Sequence, residues 1–114
     1  MKSRQGGDVI TMVAGEALTK NRFVDFEGKH TVDLAALGVT LFDADSGETA
    51  SVQVGGIAVV EAGGSITAGN WVKSDANGKA LANTLSAVAD VAKICGTALD
   101  DGSDGTYIRV KLGL

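Results

Sequence analysis

His30 is the only histidine of this chain and Cys95 its only cysteine. Nucleophilic catalysis needs a base beside the nucleophile and a third group to orient that base. With no G-x-S-x-G elbow and no cysteine–histidine pairing, few of those parts are present. His30 therefore reads as a polar residue near a hairpin rather than a catalytic base. Cys95 lies in an apolar stretch, Ala92 to Leu99, and reads as a buried hydrophobe rather than a reactive thiolate. One cysteine allows no intrachain disulfide, and a single thiol suits a reducing compartment. No C-x-x-C, H-E-x-x-H or histidine pair occurs, so no structural zinc is expected.

Two acidic stretches crowd carboxylates into turns: Asp43-Ala44-Asp45-Ser46-Gly47-Glu48 and Asp100-Asp101-Gly102-Ser103-Asp104-Gly105. Neither completes the spaced ligands and distal Glu of an EF-hand loop, and both read as solvated hairpin turns that would tolerate adventitious calcium. Gly55-Gly56 and Gly63-Gly64 lack the G-x-G-x-x-G spacing that cradles a phosphate. Trp71 reads as a core residue in preference to an exposed anchor for a partner. No cofactor and no catalytic residue is expected from this inventory.

The elements that would position such residues are short and extended. Period-two alternation recurs, and no segment keeps a 3.6-residue period over three turns. Strands are predicted at Val9 to Val13, Arg22 to Phe26, Val39 to Asp43, Thr49 to Val54, Ile57 to Glu61, Trp71 to Ser74, Ala92 to Leu99 and Thr106 to Leu112. Glu27-Gly28-Lys29, Asp45-Ser46-Gly47, Asp75-Ala76-Asn77-Gly78 and Gly102-Ser103-Asp104-Gly105 supply the turns between them. Asn83 to Asp90 is the one stretch with room for a helical turn.

The chain has 114 residues, 45% of them hydrophobic and 21% charged, which fits one globular domain with a real core. Sixteen glycines and no proline indicate many tight turns. The formal charge of -4 repels a phosphate backbone, so nucleic acid is not an expected partner. The opening MKSRQGGD has no apolar stretch behind its basic residues and predicts no secretory signal. The longest mostly apolar run, Leu34 to Phe42, is about half the ~20 residues that a membrane span requires.

The strands fall into two similar sets. Ala14 to Val24 aligns without gaps on Ala62 to Val72 in the pattern A-G-x-x-[LI]-T-x-[NG]-x-[FW]-V, an offset of 48 residues. Leu37 to Gly55 aligns on Cys95 to Gly113 in the pattern G-x-x-L-x-D-x-x-x-G-x-x-x-x-V-x-[VL]-G, an offset of 58. The second copy thus carries extra residues near Asn77 and around Asn83 to Val91, where loops are expected. Each unit, about residues 7–54 and 55–114, is too small to bury its own apolar face. The two are expected to close on each other as one small β-barrel or sandwich with an approximate internal two-fold, all-β with little or no helix.

The stretches GEALTKNRFV, LGVTLFDADSGETASVQVGGI, ITAGNWVKSDANGKA and ICGTALDDGSDGTYIRVKL together resemble the tailed-phage capsid cement, or head decoration, proteins. The likeness runs from Gly7 to Leu112 and rests on turn and strand patterns of β-clip type. It implies a structural virion protein, made in the host cytoplasm, that sits on the outside of an icosahedral head as a homotrimer and braces major capsid protein subunits. Residues 1–6 precede the repeat and are expected to form a flexible arm whose Lys2 and Arg4 suit acidic partners. Within it Met1, Lys2, Ser3, Arg4 and Gln5 are the candidate capsid contacts. A β-clip-type module that binds a sugar or peptide is the alternative; it would be expected to expose aromatic side chains.

Overall fold

Short alternating segments separated by glycine turns form antiparallel sheets, because each turn returns the chain beside the strand it has just left. The computed structural model describes residues 7–30, 36–84 and 88–113. Its strands are β1 (Val9–Val13), β2 (Phe23–Val24), β3 (Gly38–Thr40), β4 (Thr49–Gln53), β5 (Ile57–Glu61), β6 (Trp71–Ser74), β7 (Ala80–Ala82), β8 (Gly96–Ala98) and β9 (Tyr107–Leu112). A 3-10 helix, Val88–Lys93, joins β7 to β8. It overlaps the end of the expected helical turn; residues 85–87 of that stretch lie outside the described residues. β7 has no counterpart among the predicted strands, since Ala-Leu-Ala carries no β-branched residue to signal one.

The first sheet has the order β1-β4-β3-β2 and the second β5-β9-β8-β6-β7. Exchanging each strand for its sequence equivalent turns the first order into the second, with β7 added at the edge as a fifth strand. The register agrees residue by residue: Val39 pairs with Gln53 as Thr97 pairs with Lys111, and Phe23 pairs with Val39 as Trp71 pairs with Thr97. The bridge between Leu18 and Ala44 recurs between Ile66 and Gly102. Leu41 and Leu99 donate to the equivalent carbonyls of Ser51 and Arg109, at 3.1 and 2.8 Å.

The turns match as well. Asp25 Oδ1 accepts from the backbone of Glu27 and Lys29, and Asp75 Oδ1 accepts from that of Asn77 and Lys79, at 2.8 to 2.9 Å. Each aspartate thereby satisfies the N–H groups of its own turn. Gly47 and Gly105 have φ of 86° and 85°, a region costly for side chains, with open space around them. Gly38 and Gly96 are constrained differently. A Cβ there would lie 2.1 Å from the Gln53 carbonyl oxygen and 2.4 Å from that of Lys111, inside the neighbouring strand.

Equivalence stops at the packing, and the expected two-fold does not extend to it. Beneath the second sheet, Ala58, Val60, Ala62, Ile66, Val72, Ala98, Ile108 and Val110 form the larger core, and the first sheet contributes Phe23 and Val39 to it. A smaller cluster of Ala14, Leu18, Val24, Ala44, Ala50 and Val52 fills the opposite face of the first sheet with residues of its own unit. The first sheet therefore lays one face on the second unit, and the gesture is not returned. Arg22 of the first unit and Lys79 of the second both reach Glu61, at 3.3 and 3.2 Å, and the arginine ties the first unit to the second at this seam.

Two kinds of glycine substitution separate these constraints. Gly38→Ala and Gly96→Ala should each cost about 3 kcal/mol or more, because backbone of the adjacent strand must move. Gly47→Ala and Gly105→Ala should cost only about 1 to 2 kcal/mol, the cost of a left-handed alanine. Urea unfolding of the four variants checks the order.

Candidate functional site

The imidazole of His30 is buried between two backbone groups. Nε2 accepts from the Thr19 N–H at 2.9 Å, which leaves Nδ1 as the donor to the Phe23 carbonyl at 2.8 Å. Both ring nitrogens are occupied, so no lone pair faces a substrate. The residue fastens the Thr19 loop to β2 and is more deeply buried than its sequence context indicated.

Cys95 is also buried, its Sγ 3.6 Å from the Lys93 carbonyl. Loss of solvent pushes its pKa above the ordinary 9.0, against a smaller opposing effect of backbone hydrogen bonds at Ala36 and Ser74. It lines a cleft of about 120 Å³ with Phe23, Ala36, Leu37, Val54, Ile94 and Leu112. Leu37 and Cys95 are sequence equivalents, as are Val54 and Leu112, so the cleft lies where the same end of each unit meets the other. At that size and apolarity it is well below the room a small-molecule ligand usually occupies.

Four carboxylates of the acidic turns, those of Asp43, Glu48, Asp100 and Asp101, are used internally. Asp43 Oδ1 accepts from Lys20 N–H and Asp101 Oδ1 from Ala68 N–H, both at 2.8 Å, at equivalent positions of the two units. Glu48 Oε1 accepts from Asp45 N–H at 2.7 Å. Asp100 holds Arg109 through contacts at 2.9 and 3.1 Å, and this hydrogen bond, with the charge behind it, raises the arginine pKa further. Among the described residues no group of three or more His, Cys, Asp or Glu side chains is placed to hold a metal ion. None of their helices is long and apolar enough to cross a membrane.

The surface features that stand out are apolar. Trp71 is 44% exposed, contrary to its reading as a core residue, and Phe26 and Phe42 are 73% and 66% exposed on turns. β1 is an edge strand with side chains exposed on both faces: Val9, Ile10, Thr11 and Val13 all reach solvent. The Asp8 carbonyl accepts from Val54 and the Ala14 N–H donates to Glu48, so even-numbered residues of this strand face β4. The backbone groups of Val9, Thr11 and Val13 consequently point away from the sheet. Among the described residues no strand pairs with this edge, and an apolar edge strand is a standing site for pairing with another chain. Sequence reading located this strand but not its exposure, because alternation does not tell which face is covered. Met1, Lys2, Ser3, Arg4 and Gln5, the candidate contacts of the arm, lie outside the described residues.

A family model described as phage cement protein matches residues 4–112. Among solved structures, the head fiber gp8.5 N base of bacteriophage phi29 is similar with a TM-score of 0.74 and 17% identity, over 93% of this chain and 93% of that one. At that identity the likeness shows the fold. No curated protein sequence matches.

The two chemically reactive side chains behave as structure. His30→Ala should lower stability by about 2 to 4 kcal/mol, since it strands the Thr19 N–H and the Phe23 carbonyl. Cys95→Ser should cost about 1 to 3 kcal/mol. Native Cys95 should react with a small alkylating reagent far more slowly than the unfolded chain does. With the folded pKa raised, the contribution of the neutral thiol is complete below pH 9.0 and is lost as pH rises through the folded value. Denaturation of wild type and Cys95→Ala above and below pH 9 measures that component as the difference between them.

Proposed function

Because the chain belongs to the phage cement protein family, we propose that it binds the outer surface of an icosahedral phage head and stabilises contacts between major capsid protein subunits. The family match over residues 4–112 carries this reading. At the coarser level the chain is a structural, head-associated phage protein, and the described residues are consistent with that role. His30 and Cys95 serve packing, Asp43, Glu48, Asp100 and Asp101 bond internally, and the exposed groups include apolar strand and turn residues suited to protein contact. A net charge of -4 suits the outside of a shell, away from packaged nucleic acid.

Position on the virion exterior and assembly as a homotrimer belong to the same proposal. So does the arm. On binding, Met1, Lys2, Ser3, Arg4 and Gln5 order against a capsid subunit, with Lys2 and Arg4 near carboxylates and backbone pairing adding a strand. Ordering such a segment costs entropy, so its gain in affinity is modest.

Co-sedimentation with heads that lack the protein tests the proposal: the chain should saturate at a fixed number of copies per head. Deletion of residues 1 to 6 should weaken binding severalfold and flatten its salt dependence, because the arm's cations act through screened attraction. Equal affinity and equal salt slope would take the arm out of the mechanism.

A further inference from the structure

Phe23 and Trp71 hold the same place in the two sheets, yet their surroundings are opposite. Phe23 is 0% exposed in the core with Ala58 and Val60, and Trp71 is 44% exposed. The first sheet lays its Phe23 face on the second unit. Among the described residues no element lays a like face on the first unit, whose core cluster contains only its own residues. In β1 the equivalents of Ala58, Val60 and Glu61 are Ile10, Met12 and Val13. Ile10 is 39% exposed and Met12 only half-buried against its own cluster, where Ala58 and Val60 are fully covered.

Among the described residues the outer edge of β1 is likewise unpaired by any strand. Inside the chain the outer edge of β5 is capped by the first unit. The Glu61 N–H donates to the Asn21 carbonyl at 2.8 Å, and Gln53 Nε2 donates to the Ile57 carbonyl at 3.1 Å. The equivalents of the capping groups, Gly69 and Lys111, are exposed. Lys111 lies in one cross-strand row with Thr97 and Trp71. The groups they would cap are the outward N–H of Val13 and carbonyl of Val9 on β1, the Val13 carbonyl itself lying against Gly28.

One molecule thus presents an uncovered receiving strand and an unburied inserting face, each matching one half of a contact already made within it. We propose that a second copy of this chain completes the contact: Trp71 of one copy packs over Ile10 and Met12 of the next, with Gly69 and Lys111 against the outward backbone of Val13 and Val9. Trp71 supplies the large anchor typical of such contacts, and β1 supplies both apolar side chains and open backbone. Charge fits too, since Lys73 and Lys111 flank the tryptophan and the exposed Asp8 precedes β1. The contact joins two different patches, so it is head to tail and closes into a ring when its rotation allows. It rests on the self-association in the proposed function and gives it a specific interface.

Full-length chains carrying Val9→Cys or Lys111→Cys, with different tags and with buried Cys95 retained, are mixed and oxidised. The expected product is the mixed Val9→Cys with Lys111→Cys species, in excess over either homodimer. Sedimentation should show an oligomer for the wild type and its loss in Trp71→Ala, with the circular dichroism of that variant unchanged. Homodimers in excess, or a wild type that stays monomeric and gives no mixed product, overturn the proposal. Head binding is read separately. A chain that saturates heads without the mixed product overturns this interface alone, and mixed oligomers that ignore heads overturn the head reading alone.

Discussion

The structure depends on a shortage of cover. A four-strand sheet with strands of two to five residues has two faces and two edges, and neither unit holds enough apolar mass to bury all of them. The chain resolves this for the second unit by laying Phe23 and Val39 of the first sheet into its core, beside Ala58, Val60 and Val110. Burial of these side chains is the main favourable contribution at the seam, and the fully buried Phe23 is the largest of them. Everything else at the junction follows its position: Asn21 caps β5, Arg22 and Lys79 converge on Glu61, and His30 holds the Thr19 loop against β2.

The buried polar groups are the necessary companions of that packing. Once the loops around β2 are pressed between the units, their backbone groups lose water and need partners. Thr40 Oγ1 donates to the Thr19 carbonyl at 2.6 Å, and the His30 ring spans Thr19 and Phe23. A histidine used this way is a bracket with two fixed hydrogen bonds. The lone thiol is likewise absorbed, sealed at the end where Leu37 and Cys95 meet. This explains why a chain with one histidine and one cysteine offers no exposed reactive pair, and it agrees with a family of structural head proteins.

Duplication also explains the shape of the surface. Two copies of one pattern, packed so that only one covers the other, leave the first copy's receiving side and the second copy's inserting side turned outward. β1 and Trp71 are those two remainders. These remainders leave large apolar side chains, Ile10, Val13 and Trp71, open at the surface where their counterparts in the chain are packed or paired.

Much of the fold was legible in the sequence. Alternation located β1, β5 and β6 with their observed bounds, and the turn signatures around Gly28, Gly47, Gly78 and Gly105 marked the hairpins. The two aligned blocks carried the strand equivalence, down to the matched close approach at Gly38 and Gly96. These features are local: period two, a left-handed turn and a missing Cβ are properties of a few neighbouring residues. Tertiary structure alone decided which faces are covered. Phe23 and Trp71 sit in the same pattern, and β1 reads like β5, yet one of each pair is buried and the other open. Alternation says that a strand has an apolar side; it carries no record of what packs there, because burial depends on how residues far apart in the chain are brought together.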